Sequence, residues 1–139
     1  MNLQELTAND GRILVVDDVP SALKVVTRLL KKLGVTNVIE ARNGTAALAA
    51  LASEDVRLII SDWNMPGMNG LQLLTQVRSD PKLVNLPFIL ITSSADRDEV
   101  VLAYKTGVSD YIVKPFNGDT LAAKIQSVLT APIDPTEGG

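Results

Sequence analysis

The chain has 139 residues, of which 46% are hydrophobic and 21% are charged, and these values are typical of one globular domain. The net charge of -3 argues against a nucleic-acid-binding protein, because binding to phosphates requires a basic surface. Cysteine and histidine are absent, which excludes disulfides, thiol catalysis, a histidine base and zinc sites of thiolate or imidazole, so any metal site must consist of oxygen ligands.

Four short apolar runs predict buried strands, and each run ends in polar residues. Continuous apolar runs of this length suit strands that are covered on both faces, as in a parallel sheet. In chain order the runs are 13–16, which ends at Asp17 and Asp18, 58–60, which ends at Ser61 and Asp62, 88–91, which ends at Thr92 and Ser93, and 111–113, which ends at Lys114. Val38 and Ile39 form a weaker fifth strand, which we expect at an edge of the sheet.

Amphipathic stretches between and after these runs predict five helices, with Gly34 as the stop of the first and Asp96 near the start of the fourth. We interpret all five apolar stripes as core packing, because residues at helical spacing share one face. The stripes are Leu23, Val26, Leu30 and Leu33; Leu48 and Leu51; Leu71, Leu74 and Val77; Val100, Ala103 and Tyr104; and Leu121, Ile125 and Val128.

Five successive strand–helix units predict an α/β domain. Parallel strands joined by right-handed helical crossovers place helices on both faces of the sheet. We expect residues 11–130 to form this domain. An N-terminal extension, 1–10, would precede it, and a flexible tail, 131–139, with two prolines and two glycines, would follow it.

The polar residues after the predicted strands indicate a site for phosphoryl chemistry. Ligands of an open parallel sheet bind at the carboxyl ends of its strands, and Asp17, Asp18, Asp62, Thr92 and Lys114 would share that edge. If the first and third strands are neighbours, three carboxylates converge and repel one another, and a hard divalent cation such as Mg²⁺ relieves that repulsion. An acceptor carboxylate with a hydroxyl and an ammonium beside it is the set that phosphoryl transfer requires.

Four segments of the chain resemble the response-regulator receiver domains, and the similarity extends over residues 11–130. The segments are 15–18 (VVDD), 61–70 (SDWNMPGMNG), 91–93 (ITS) and 111–116 (YIVKPF). Within this family, the chain is most similar to the chemotaxis regulators that bind the flagellar motor switch. The resemblance implies a flavodoxin-like, doubly wound sheet of five parallel strands in the order 2-1-3-4-5, with five helices.

The resemblance also implies how the acidic residues act in a phosphorylation-dependent switch. Asp62 matches the phosphoacceptor, whose carboxylate attacks phosphorus and forms an acyl phosphate. Asp18 and Asp62 match direct ligands of Mg²⁺, and Asn64 matches the residue that contributes its backbone carbonyl. Asp17 matches a metal-site acid that acts largely through metal-bound water.

Three further residues match the part of the family's site that binds and senses the phosphoryl group. Thr92 and Lys114 match the residues that contact the phosphoryl oxygens. Tyr111 matches an aromatic switch that turns inward when Thr92 moves, and the Lys114–Pro115 bond matches one that is cis. The signal would leave through the face formed by the fourth predicted helix, the fifth strand and the fifth predicted helix.

Some positions depart from the commonest pattern of the family. Ser93 stands where alanine or glycine is more usual, although it is small enough to leave the site open. Asn64 and Ser94 occupy the two variable positions that tune dephosphorylation in the family. Trp63, the only tryptophan, follows the acceptor, and we expect it beside the metal site without being a ligand.

The implied partners are a histidine kinase as phosphodonor and a downstream protein such as the flagellar motor switch. We expect a monomer that catalyses only its own phosphorylation and dephosphorylation, and not a classical enzyme. No apolar run approaches the roughly 18 residues of a membrane span, and the polar residues 1–10 do not form a signal peptide. These features predict a cytoplasmic protein that binds neither membrane nor nucleic acid.

Two other interpretations remain open. The chain could be a receiver of another pathway, or one cut from a multidomain regulator, because its Pro- and Gly-containing tail could begin a linker. A phosphatase with an Asp nucleophile after the first strand is the second, but such enzymes place another Asp two residues later, where this chain has Val19. Flavodoxin-like FMN binding is disfavoured, since no Ser/Thr/Gly-rich phosphate loop follows the first strand.

Overall fold

A computed structural model describes residues 3–8, 12–94 and 96–130 of the chain. The described part alternates helices and strands throughout. The strands are β1 Arg12–Val16, β2 Val38–Ala41, β3 Val56–Asp62, β4 Phe88–Thr92 and β5 Asp110–Val113. The helices are α1 Leu3–Ala8, α2 Pro20–Lys32, α3 Gly44–Ser53, α4 Gly70–Ser79, α5 Arg97–Thr106 and α6 Gly118–Thr130.

The strands form one parallel sheet in the order β2-β1-β3-β4-β5, as the family resemblance implies. The weak strand at Val38 lies at the edge, as predicted. In the register of β1 and β3, Val16 pairs with Ser61. The residues that follow them, Asp17 and Asp62, therefore emerge next to each other. β2 lies on one side of β1 and β3 lies on the other, so the strand order reverses at β1. Open α/β sheets bind their ligands at such a point.

Two separate hydrophobic cores cover the two faces of the sheet, which explains why the strands are apolar without alternation. One core packs α2, α6 and α1 against alternate strand residues such as Ile13 and Ile60, which are fully buried. The other packs α3, α4 and α5 against the intervening residues such as Leu14 and Ile59. Each such side chain stabilises the fold by roughly 1.5–3 kcal/mol.

The structure adds a sixth helix to the five predicted ones, so the fourth and fifth predicted helices are α5 and α6. The extra helix, α1, lies in the N-terminal extension and packs against α6, with Leu6 fully buried in the first core. Its six residues are too few to show a helical period, which is why the sequence pattern did not reveal it. The predicted tail, 131–139, lies outside the described residues.

The prediction that the α5 stripe is core packing was wrong for most of that stripe. Ala103 is buried, but Val100 is half-buried and Tyr104 is 48% exposed. The helix packs mainly against α4, so only a narrow line of α5 faces the core. Val101 and Leu102, which also lie on α5, are 43% and 47% exposed.

Within the three described ranges, no helix combines the length and hydrophobicity that crossing a membrane requires.

Candidate functional site

The carboxyl ends of four strands meet at one edge of the sheet and bring the predicted site residues together. Asp62 and Thr92 are the last residues of β3 and β4. Asp17 follows β1 directly, and Lys114 follows β5 directly. Three of these side chains lie in the protein interior although they are polar: Asp17, Asp62 and Thr92 are 4%, 7% and 3% exposed. Buried polar groups at strand ends require partners, which this edge contains.

Three carboxylates converge at this edge. Asp17, Asp18 and Asp62 each place a carboxylate oxygen within 4.8 Å of the others. Burial, and to a smaller extent the charges of Asp62 and Asp18, raise the pKa of Asp17 above its ordinary value, although the Val19 N–H donates to its Oδ1 at 3.0 Å. Buried carboxylates that lie close together are costly to ionise. A hard divalent cation offsets their negative charge, so this cluster is suited to bind one.

Lys114 provides the positive charge of the site. Its Nζ lies 2.9 Å from Oδ1 of Asp62, and the Asp62 side chain is only 10% exposed, whereas that of Lys114 is 39% exposed. The ammonium is therefore anchored on the carboxylate at the mouth of the site, with part of its surface still open to solvent. A cation in this position can stabilise further negative charge placed on Asp62.

Thr92 is held by its own loop. Its Oγ1 accepts a hydrogen bond from the Ser94 N–H and donates one to the Ser94 carbonyl, both at 3.1 Å. The hydroxyl therefore bonds to the β4–α5 loop. Any new acceptor near Asp62 would compete with the Ser94 carbonyl for this hydroxyl proton.

The backbone around Asp62 is fixed by a set of short hydrogen bonds. The Ser61 hydroxyl donates to the Asp62 carbonyl at 2.9 Å, and the Trp63 N–H donates to the Ile91 carbonyl at 2.9 Å. The Gly70 N–H closes the loop onto the Trp63 carbonyl at 2.8 Å. A Cβ at Gly70 would overlap the Asp62 carbonyl oxygen, so the loop requires glycine at this position.

The start of α4 closes the loop that follows Asp62. Asn69 accepts a hydrogen bond from the Gln72 N–H at 2.8 Å, and the Gln72 side chain accepts one from the Asn69 N–H at 2.9 Å, which forms a capping box. Gly67 has a φ of 74°, a left-handed conformation that favours glycine. Asn64, on the same loop, is exposed, and the role of its carbonyl stays a prediction.

Trp63 directly follows Asp62 in the chain. Its indole is half-buried and packs against the second core, the one that α3, α4 and α5 cover. The Lys114–Pro115 bond is cis, as the resemblance implies.

Tyr111, the predicted switch residue, is half-buried on β5 between α5 and α6. Its ring meets the ring of Tyr104 edge-on, with centroids 6.0 Å apart, and the Nζ of Lys124 lies 5.4 Å from its centroid. Sequence reasoning missed Tyr104 and Lys124 as neighbours of Tyr111, and it also missed Asp110. Only Tyr104 left a signal in the sequence, because it is a tyrosine on a helical stripe whose other members, Val100 and Ala103, are small or aliphatic.

The family model of the response regulator receiver domain matches residues 13–126 of the chain. Among curated proteins, the chain is 43% identical to the chemotaxis protein CheY of Pseudomonas aeruginosa over 118 residues, which are 85% of this chain and 95% of that protein. It is 42% identical to the chemotaxis protein CheY-3 of Vibrio cholerae over 127 residues, which are 91% of this chain and 98% of that protein.

Two solved structures show the same fold. The chemotaxis protein CheY4 of Vibrio cholerae superposes with a TM-score of 0.81 at 32% identity and covers 86% of this chain and 98% of its own. The signal receiver domain of a signal transduction histidine kinase from Syntrophus aciditrophicus does so with a TM-score of 0.78 at 33% identity, covering 86% of this chain and 90% of its own. The chain therefore belongs to the response regulator receiver domains, the phosphorylation-dependent signalling modules of two-component systems.

Proposed function

We propose that the chain accepts a phosphoryl group on Asp62 from a histidine kinase and answers with a change on the face formed by α5, β5 and α6. The observation that carries this proposal is the Asp62 carboxylate itself. It is buried at a strand end, paired at 2.9 Å with Lys114 and grouped with two further acids. Purely structural roles for Asp, such as a helix cap or a surface ion pair, do not require this combination.

The transfer is an exchange of one bond for another. A carboxylate oxygen of Asp62 attacks the phosphorus, the P–O bond forms, and the P–N bond to the kinase histidine breaks. The electron pair of that bond returns to the imidazole. Lys114, already beside Asp62, binds an oxygen of the arriving group and offsets its charge. Because the chain would promote this step, and later hydrolysis, only on itself, it is not an enzyme acting on a separate substrate.

The acidic cluster fits Mg²⁺ by the chemistry of its donors. Asp17, Asp18 and Asp62 offer only oxygen atoms, the cluster is largely buried, and this burial raises the pKa of Asp17. We propose that the backbone carbonyl of Asn64 joins these three acids in holding the ion. When bound, the ion would neutralise the carboxylates and the phosphoryl oxygens, so that two anions can approach each other.

Transmission starts from Thr92. A phosphoryl oxygen on Asp62 is a stronger acceptor than the Ser94 carbonyl that now receives the Thr92 hydroxyl proton at 3.1 Å. The hydroxyl exchanges partners and the β4–α5 loop follows it. Tyr111 then turns toward the space that Thr92 and its loop leave. The two states differ in free energy only through such differential contacts, which is what a switch requires.

We further propose that the pathway is chemotaxis and that the downstream target is the flagellar motor switch. The support is the name shared by the curated relatives at 42–43% identity over most of their length. The chain would act in the cytoplasm as a monomer, without binding nucleic acid or membrane. A receiver of another pathway is the second candidate, favoured by the similar receiver domain that belongs to a histidine kinase.

The proposal is tested by affinity capture with the phosphoryl mimic beryllofluoride. The wild-type chain, immobilised with Mg²⁺, should retain a purified flagellar motor switch protein only when beryllofluoride is present. The Asp62→Asn variant is the matched control and should retain nothing in either condition. Retention that is equal with and without the mimic would contradict a phosphorylation-dependent switch. Mimic binding by the wild type without capture would instead favour a different pathway.

A further inference from the structure

A polar cluster around Asp110 joins the three elements of the proposed output face. We call it the Asp110 cluster, and it consists of Tyr104 on α5, Asp110 and Tyr111 on β5, and Lys124 on α6. Oδ1 of Asp110 accepts three donors: the Tyr111 N–H at 2.8 Å, the Lys124 ammonium at 3.0 Å and the Tyr104 hydroxyl at 3.3 Å. One carboxylate oxygen therefore ties a strand to the helices on both sides of it.

The same residues surround the Tyr111 ring. The Tyr104 ring meets it edge-on, with an angle of 81° between the planes, and the Lys124 ammonium lies 5.4 Å from its centroid. Both distances lie within the range of attractive aromatic–aromatic and cation–aromatic contacts. Asp110 thus orients Tyr104 and Lys124, and these two residues hold the ring of Tyr111.

The ion pair between Asp110 and Lys124 is partly shielded from solvent, although Tyr104 is about half exposed. The side chains of Asp110 and Lys124 are 16% and 33% exposed, so their ion pair is screened less than one on an open surface. Burial and the neighbouring Asp110 raise the pKa of Tyr104 to about 12, so its hydroxyl remains a donor at neutral pH. The Tyr104 hydroxyl can therefore donate its hydrogen bond to Asp110 at neutral pH.

We infer that the Asp110 cluster is a latch that holds Tyr111 in its half-exposed position while Asp62 is unphosphorylated. This inference rests on the proposed function of Tyr111 as the switch residue. Turning the ring inward leaves the Tyr111 N–H where it is, but it separates the ring from Tyr104 and from Lys124. These two contacts exist in one state only, so they favour that state.

The latch makes Tyr104, Asp110 and Lys124 positioning residues that set the threshold of the switch. By linkage, every contact that stabilises the outward ring must be overcome when a phosphoryl group binds, and this lowers the apparent affinity for it. Weakening the latch should therefore raise the affinity of the Asp62 site for a phosphoryl mimic. A merely structural cluster would lower stability without raising that affinity.

The test compares two latch variants with one control. Lys124→Met removes the ammonium but keeps the aliphatic stem, and Tyr104→Phe keeps the ring but removes the hydroxyl. Lys105→Met, an exposed lysine on the same helix as Tyr104, is the matched control for the loss of a charge. The apparent Kd for beryllofluoride is measured with Mg²⁺ by Trp63 fluorescence. The Tyr111 ring resonances are recorded by NMR in a metal chelator without the mimic.

We expect Lys124→Met to lower the Kd by about fivefold or more, with a smaller decrease for Tyr104→Phe and none for Lys105→Met. In the chelator, the Tyr111 resonances of Lys124→Met should move part of the way toward those of wild type with beryllofluoride. An unchanged or increased Kd in both latch variants, with wild type binding normally, would overturn the latch alone. Wild type that does not bind the mimic would overturn the proposed function, and the latch with it.

Discussion

Lys114 places its ammonium 2.9 Å from Oδ1 of Asp62, so the chain's proposed phosphoacceptor already has a counter-charge before any phosphoryl group arrives. The two residues come from neighbouring parts of the sheet edge but from strands separated by β4. Lys114 therefore links the acceptor to β5, the strand that carries Tyr111. A residue that joins Asp62 to β5 is suited to stabilise a phosphoryl group on Asp62 and also to pass the effect of phosphorylation to β5.

We predict that Lys114→Ala still accepts a phosphoryl group from acetyl phosphate but does not transmit it. Asp62 keeps its nucleophilic carboxylate, while the link from the phosphoryl oxygen to β5 is lost. Intact-mass spectrometry should show the phosphorylated form, and the amide resonances of β5 and α5 should not shift on phosphorylation. Lys82→Ala, an exposed lysine, is the control and should behave as wild type. Normal resonance shifts in phosphorylated Lys114→Ala would count against this role.

We predict that Asp17→Asn stabilises the chain in a metal chelator at neutral pH. Because burial raises the pKa of Asp17, the folded chain holds this proton at pH values where the unfolded chain has lost it. The contribution of Asp17 to the free energy of unfolding therefore falls as the pH rises above about 3.9 and stays low above the raised pKa. Asparagine does not titrate and still accepts the Val19 N–H.

The measurement is urea unfolding of both proteins between pH 4 and pH 8, with chelator present throughout. The stability gain of Asp17→Asn should be largest near pH 8 and should shrink toward pH 4. A gain that is independent of pH, or a variant less stable than wild type at neutral pH, is incompatible with this explanation. Excess Mg²⁺ should remove the gain, because the bound ion offsets the buried charge of Asp17 in wild type, and the variant has no charge at this position.

We predict that Leu6→Ala lowers the free energy of unfolding by about 3 kcal/mol, although Leu6 lies outside the matched family region. The side chain is fully buried in the core beneath α2 and α6, so its removal leaves a cavity. Val101→Ala, at a 43% exposed position, is the control and should change stability by less than about 0.5 kcal/mol. Equal effects of the two truncations would mean that α1 does not pack as the structure describes.

We predict that Mg²⁺ changes the fluorescence of Trp63 saturably and that beryllofluoride changes it further. The indole is half-buried directly after Asp62, so its emission responds to charge added at the cluster. The double variant Asp18→Ala, Asp62→Asn should give neither response, because two carboxylates of the cluster are gone. A response of the same size in the double variant would show that the signal does not report on this site.

The strands and the site edge could be predicted from sequence for one physical reason. A parallel sheet buries both faces, so its strands are apolar throughout, and the polar residues that end each apolar run mark the edge. Asp17, Asp62, Thr92 and Lys114 were located in this way, although the strand order needed the family resemblance. Asp96 was predicted near a helix start, and its side chain caps α5 by accepting from the Asp98 N–H.

The features that sequence reasoning missed depend on how the elements are packed together. Tyr104 lies four residues after Val100, which is helical spacing, but periodicity does not show how wide a helix face the core covers. Asp110 and Lys124 are 14 residues apart, and only the packing of α6 beside β5 brings them within 3.0 Å. The six residues of α1 are stabilised by the burial of Leu6 and not by their own helix propensity.

Locating the acyl phosphate shows whether Asp62 is the phosphoacceptor. The chain is incubated with acetyl phosphate and Mg²⁺, the acyl phosphate is reduced with borohydride, and the modified residue is identified by peptide mass spectrometry. The control variants are Asp62→Asn and Asp98→Asn, the latter at an exposed carboxylate on α5. We expect one modified residue, Asp62, with labelling lost in Asp62→Asn and retained in Asp98→Asn. Labelling of Asp62→Asn at the wild-type rate would contradict the assignment of Asp62 as the phosphoacceptor.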